Sequence, residues 1–207
     1  MKKYLVEFIG TFFLVFTVGC TVIPPGAGAL APIAIGASLM VMIFAGGHIS
    51  GGHFNPAVTL AVWLRGKCTP GDVIPYWIAQ IAAAFAAAWI VHFLKVETPS
   101  EAFSIGVKAA LVAEFLFTFA LAWVVLNTAT SKGTAGNSFY GLAIGMTVMV
   151  GAFAVGGVSG GAFNPAVATG ITLMKLSSWS HYWVFLAGEL AGGAVAALAY
   201  KVVNGSD

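Results

Sequence analysis

Charge is the scarcest feature of this chain. Nine basic and seven acidic residues make up 8% of 207 positions. No run of Lys or Arg occurs, so the electrostatic footprint of a nucleic-acid binder is missing and no nucleic-acid partner is expected. Cysteine is reduced to Cys20 and Cys68. The topology below puts them at opposite membrane faces, which argues against a disulfide and leaves the redox compartment unread. No nucleophile–base set, metal-ligand cluster or phosphate loop is present. The sequence therefore supports no enzyme activity and calls for no cofactor or metal. What remains is 59% hydrophobic residues and a mean hydropathy of +0.95. A soluble domain does not carry that balance.

Six apolar stretches are long enough for a hydrocarbon core of roughly 30 Å, which takes about 20 helical residues. They fall near 4–23, 30–49, 72–94, 105–128, 138–157 and 181–203. Connectors are marked by Pro24-Pro25-Gly26, Thr69-Pro70-Gly71, Glu97-Thr98-Pro99-Ser100 and Ser131-Lys132-Gly133. Met1-Lys2-Lys3 before an apolar run imitates a signal peptide, and the small residues around Ala27-Gly28-Ala29 keep that option open. Against it, Glu7 interrupts the run and has a counterpart in the second half. The segment reads as the first membrane helix.

Two near-copies of one polar block break the apolar pattern. Ser50-Gly51-Gly52-His53-Phe54-Asn55-Pro56-Ala57-Val58 is matched, 109 residues on, by Ser159-Gly160-Gly161-Ala162-Phe163-Asn164-Pro165-Ala166-Val167. Asn followed by Pro starts a helix, with Asn at the N-cap and Pro at the first helical position. The apolar pieces that follow, near 56–65 and 165–175, are too short to span. Ten residues make about 15 Å of helix. They read as re-entrant half-helices, and interrupted segments at matching positions of two halves point to a permeation or binding site.

The repeat runs beyond the blocks. Glu7-Phe8 with Thr11-Phe12 recurs as Glu114-Phe115 with Thr118-Phe119, and Gln80 matches Glu189 at the same offset of 109. One domain over 1–207 is expected, built from halves of about 1–100 and 101–207. Three spans per half is an odd number, so the second half enters from the opposite face and the halves form an inverted repeat. With the N-terminus inside, Lys2, Lys3, Arg65, Lys67, Lys132 and Lys201 face the cytoplasm and Lys95, Lys108 and Lys175 face out. That excess places both termini in the cytoplasm.

An N-cap Asn accepts backbone N–H groups through its side-chain oxygen and keeps its NH₂ free to donate. Asn55 and Asn164, facing one another, would offer two donors to a passing acceptor such as water, a hydroxyl or a carbonyl. Each helix tip adds about half a positive charge. Together, at ~4 Å and an effective dielectric of 20, they repel a cation by about 4 kcal/mol. Such a constriction passes neutral molecules and resists ions, hydronium included.

These motifs resemble the aquaporin (major intrinsic protein) family over essentially the whole chain. The likeness rests on Gly47 through Val58, on Asn164-Pro165-Ala166 and on the paired glutamates. It implies an all-α membrane protein of six tilted helices and two half-helices, an aquaporin-like right-handed bundle with a pore in every subunit and usually a homotetramer. It further implies a pore constriction at Asn55, Pro56, Ala57, Asn164, Pro165 and Ala166. The family's ladder of backbone carbonyls would fall on Gly51, Gly52, His53, Gly160, Gly161 and Ala162. Glu7 and Glu114 take the place of the buried carboxylates that support the re-entrant loops; for Glu7 the other reading is a snorkelling residue at a helix end.

One departure matters most. Water-selective members carry an arginine after the second Asn-Pro-Ala, within a filter that also holds an aromatic and a histidine. Here that place is Val167, and counting from the asparagines puts the rest of the filter at Ile35, Ala152 and Gly161. A ring without cation or aromatic should be wider and less polar. Val167-Ala168 resembles plant vacuolar members, Ala168 stands where glycerol channels often have an acid, and Tyr182-Trp183 lies nearer the water-channel pattern. The reading is a passive channel for water with relaxed selectivity toward small uncharged solutes, set in the lipid bilayer of the cell membrane. The alternatives are a facilitator mainly for glycerol, urea, ammonia or hydrogen peroxide, a secondary transporter with broken helices, and a poorly conducting junction or scaffold protein. His48 and His53 gate the inner vestibule or orient a loop, the second being preferred. His92 and His181 read as interfacial, and Glu189 as an interhelical hydrogen-bond partner.

Overall fold

The computed structural model describes residues 1–95 and 102–205; the connector at 97–100 and the junction of the halves lie outside the described residues. Among the described residues, six helices have the length and apolarity to cross a membrane. They are α1 (Lys2–Val22), α2 (Ala31–Ser50), α4 (Pro70–Leu94), α5 (Val107–Val125), α6 (Tyr140–Ser159) and α8 (Tyr182–Asn204), with the short helices α3 (Pro56–Leu64) and α7 (Pro165–Leu173) between them. The order long–long–short–long recurs in each half.

Most helix ends fall within two residues of the sequence expectation. Where they shift, polar side chains decide the end. Asn137 Oδ1 accepts from Phe139 and Tyr140 N–H, which sets the start of α6 later than hydropathy suggests. At the end of α5 the backbone loosens into a π turn over Leu126–Thr130. There Thr128 and Thr130 hydroxyls back-bond to the carbonyls of Val124 and Leu126, a bonding that bends helices.

Within each half the long helices pack pairwise, α1 on α2 and α4, and α5 on α6 and α8, while α2 crosses α6 at the centre. Each half-helix also packs on the other half: α3 on α8, and α7 on α4 and α1. Small residues permit this closeness, as in other membrane helix contacts. A Cβ on Gly36 would stand 2.6 Å from the Gly145 carbonyl oxygen, so α2 and α6 cross backbone to backbone. A Cβ on Gly193 of α8 would stand 2.6 Å from the Ala57 carbonyl oxygen. Gly193→Ala should therefore push α8 off the start of α3 and cost about 1–3 kcal/mol. Thermal unfolding in detergent reads this; an unchanged midpoint would mean the contact gives way freely.

Outward faces carry apolar side chains such as Ile78, Trp89, Phe93 and Leu198, all more than half exposed. A water-facing surface does not tolerate so much apolar area, and a lipid-facing one requires it. The basic residues divide by end. Lys3 binds Asp72 at 2.6 Å, and Lys67 and Lys132 line one pocket there. Lys95 reaches the carbonyls of Ile23 and Pro25 at the other end.

Candidate functional site

Both polar blocks fold the same way, and for the same reason. Helices α2 and α6 stop where Gly51 and Gly160 enter the left-handed region, at φ +90° and +96°. Glycine alone does this at no steric cost. Three residues further, Phe54 and Phe163 also take positive φ, 48° and 50°, which costs a large side chain of order 1–3 kcal/mol. Both rings are fully buried, Phe54 against Gly10 and Phe163 against Gly151. The wedged rings hold each strained loop in place.

Glu7 and Glu114 supply the other restraint. Glu7 Oε1 accepts from Ser50 Oγ at 2.7 Å and His53 N at 3.0 Å, and its Oε2 from Phe54 N at 2.7 Å and Gln80 Nε2 at 2.8 Å. Glu114 repeats the pattern with Ser159 Oγ, Ala162 N and Phe163 N at 2.6, 3.1 and 2.7 Å. Both glutamates are 0% exposed, so the snorkelling alternative for Glu7 is overturned. A carboxylate in a span is tolerated only with partners, and these have them.

The half-helices begin at the two asparagines. Asn55 Oδ1 accepts from Ala57 N at 2.8 Å and Val58 N at 3.3 Å, and Asn164 Oδ1 from Ala166 N at 2.9 Å. Pro56 and Pro165 occupy the first helical positions, and with Ala57 and Ala166 they are buried. The amide nitrogens correct the sequence expectation. Asn55 Nδ2 donates to the Phe163 carbonyl at 2.8 Å, and Asn164 Nδ2 donates to the Phe54 carbonyl at 2.9 Å. One hydrogen of each amide thus ties the two loops crosswise, and one remains for anything between them.

A central cavity of about 50 Å³ runs past both asparagines. That exceeds the roughly 10–15 Å³ a cavity needs to admit a water. Ile35, Ala152, Gly161 and Val167 all line it, with His53, Gly160 and Ala162 from the loops. Gly51 lines the polar vestibule at one end, and Gly52 packs against Gly47 and Ile43. The two mouths differ. One is walled by Val18, Val22, Ile35, Phe103, Ala152 and Leu176. The other carries Ser50, His53, Lys67, Thr69, Asp72 and Tyr76. His53 borders both the cavity and the polar mouth, its Nδ1 3.1 Å from Thr59 Oγ1 and its ring edge-on to Tyr76. Cys68 lines the same mouth, where burial raises the thiol pKa. Both cysteines are free.

The sequence profile of the major intrinsic protein family matches residues 1–200. The chain belongs to the major intrinsic protein family. Aquaporin NIP1-4 of Oryza sativa subsp. japonica is 34% identical over 213 residues, covering 99% of this chain and 77% of that one. Glycerol uptake facilitator protein-like 6 of Lactiplantibacillus plantarum is 36% identical over 217 residues, all of both chains. Among solved structures, the aquaglyceroporin from Plasmodium falciparum superposes with a TM-score of 0.81 at 22% identity, over 99% of this chain and 96% of the other, and so shares the fold. A member of this family is a multi-pass membrane channel, not an enzyme.

Sequence reasoning missed the two serines and the crosswise amide bonds, and read Glu189 as an interhelical hydrogen-bond partner without its target. Ser50 and Ser159 bridge carboxylate and loop, their Oγ accepting from Gly52 N at 3.0 Å and Gly161 N at 3.1 Å. Their recurrence five residues before each asparagine was the available signal. Gln80 reaches Glu7, and Glu189 accepts from Asn164 N at 3.0 Å, so both serve the loops from a neighbouring helix. The crosswise amide bonds end on carbonyls, which leave no trace in residue type.

Proposed function

We propose that this protein is a passive channel for water with relaxed selectivity toward small uncharged solutes, closed to ions and protons. The observation that carries this reading is the crosswise-tied asparagine pair beside the cavity, at the meeting point of two helix N-termini. The remaining amide hydrogens and the tips' partial positive charge favour a neutral acceptor and repel a cation. The proposed filter, Ile35, Ala152, Gly161 and Val167, presents neither a cation nor an aromatic, which supports the relaxed selectivity. The acceptor ladder is assigned to the backbone of Gly51, Gly52, His53, Gly160, Gly161 and Ala162.

The same ring, with the full-length likeness to a protein named a glycerol uptake facilitator, favours a second reading in which glycerol, urea, ammonia or hydrogen peroxide is the main cargo. A coupled transporter is disfavoured, because His53 is the only titratable side chain among the described residues lining the cavity. One channel domain over 1–207, a plasma-membrane setting with both termini cytoplasmic, and a homotetramer with one pore per subunit complete the proposal.

Stopped-flow light scattering on proteoliposomes tests it. Water flux should be linear in the gradient with a low activation energy, and glycerol and urea should also enter faster than into protein-free vesicles. Saturation with counterflow would establish a transporter. Solute entry no faster than in empty vesicles would remove the relaxed selectivity.

A further inference from the structure

The two halves repeat each other's loop supports, and one pair of positions departs from the repeat. In the first half Gln80 Nε2 donates to Glu7 Oε2 at 2.8 Å and to Thr59 Oγ1 at 3.1 Å. At the 109-residue offset these positions hold Glu189 and Ala168. Glu189 is 0% exposed, its Oε1 accepts from Asn164 N at 3.0 Å, and its carboxyl adjoins that of Glu114. No donor reaches its buried Oε2.

Two ionised carboxylates only accept, so oxygens in such contact require a proton between them. Its place follows from the donors. Glu114 already accepts from Ser159 Oγ, Ala162 N and Phe163 N, which suits it to hold the negative charge. Glu189 accepts from a single N–H. The donors to the two carboxyls are Ser159 Oγ and the N–H groups of Ala162, Phe163 and Asn164, none of them cationic. Donor counting agrees. The Gln80 amide spends two hydrogens, on Glu7 and Thr59. In the second half Ala168 has no hydroxyl to satisfy, and the one hydrogen of a carboxylic acid suffices.

We propose that Glu189 is a neutral carboxylic acid that donates its proton to the Glu114 carboxylate while its other oxygen holds the backbone N–H of Asn164. It is a positioning residue: it fixes the second asparagine at the cavity without lining the cavity itself. Glu189 gives Glu114 the hydrogen bond that the Gln80 amide gives Glu7, and adds the bond to Asn164 N that Gln80 Oε1 does not make to its own half-helix.

Infrared spectroscopy of the purified protein in lipid tests the proton. The wild type should show the C=O stretch of one buried carboxylic acid, shifted by deuteration, and Glu189→Gln should remove it. Flux tests the positioning. Glu189→Ala should lower water permeability about tenfold, as expected for losing one hydrogen bond to a buried loop. Glu189→Gln should restore it, because the amide oxygen can accept from Asn164 N while its NH₂ donates to Glu114 as Gln80 donates to Glu7. A wild type without the band, a band that survives Glu189→Gln, or a Glu189→Gln channel as impaired as Glu189→Ala would each overturn the proposal. Where Glu189→Ala does not fold, the band and Glu189→Gln decide. The spectroscopic result stands apart from the solute reading, so failure of the wild type to conduct would fall on the proposed function alone.

Discussion

Glu7→Ala should abolish water permeation, leaving vesicles that swell no faster than those without protein. The Glu7 side chain accepts four hydrogen bonds, and its removal strands the buried N–H groups of His53 and Phe54 with the Gln80 amide. A stranded buried donor costs about 1–3 kcal/mol. The two backbone groups alone then lose roughly 2–6 kcal/mol, more than a loop with three left-handed residues before its helix can absorb. Glu7→Gln keeps one acceptor oxygen and should fall between the two. Stopped-flow swelling, normalised to protein incorporated, measures the series. Full flux through Glu7→Ala would show that the wedged Phe54 ring holds the loop unaided.

Val167→Arg should separate the solutes. Val167 is almost fully buried in the cavity wall together with Ile35, Ala152 and Gly161, so a guanidinium there has to project into the open space. Glycerol and urea entry should drop at least about tenfold, equivalent to ~1.4 kcal/mol of added barrier, while water drops less. The new charge adds to that of the helix tips and raises the barrier to cations further. Parallel swelling assays under water, glycerol and urea gradients give the comparison. Equal loss for every solute would place the filter elsewhere.

The chemistry near the two asparagines was legible because it depends on residue type and spacing. Asn-Pro dictates a helix start whatever surrounds it, and the half-helices expected near 56–65 and 165–175 are Pro56–Leu64 and Pro165–Leu173. A glutamate in a lipid-length apolar run needs partners, which marked Glu7 and Glu114 as buried. The ends of the long helices were less legible. Hydropathy does not register a cap such as Asn137, nor threonines that bond back to their own helix. Least legible were contacts between the halves. The acceptors of the Asn55 and Asn164 amides are backbone carbonyls, and any residue at 54 or 163 would provide one. Glu189 stood out as the partner of Gln80, but only its closeness to Glu114 reveals what the exchange means.

The reciprocal ties from Asn55 to Phe163 and from Asn164 to Phe54 act as a keystone set from both sides. Widening the waist of the conduit means unfastening both together and pulling each half-helix from the long helices that grip it. A centre so braced has one fixed bore. Adjustment of flow, whether by chemistry in the cell or by design, falls to the two dissimilar mouths and to the small side chains rimming the apolar one.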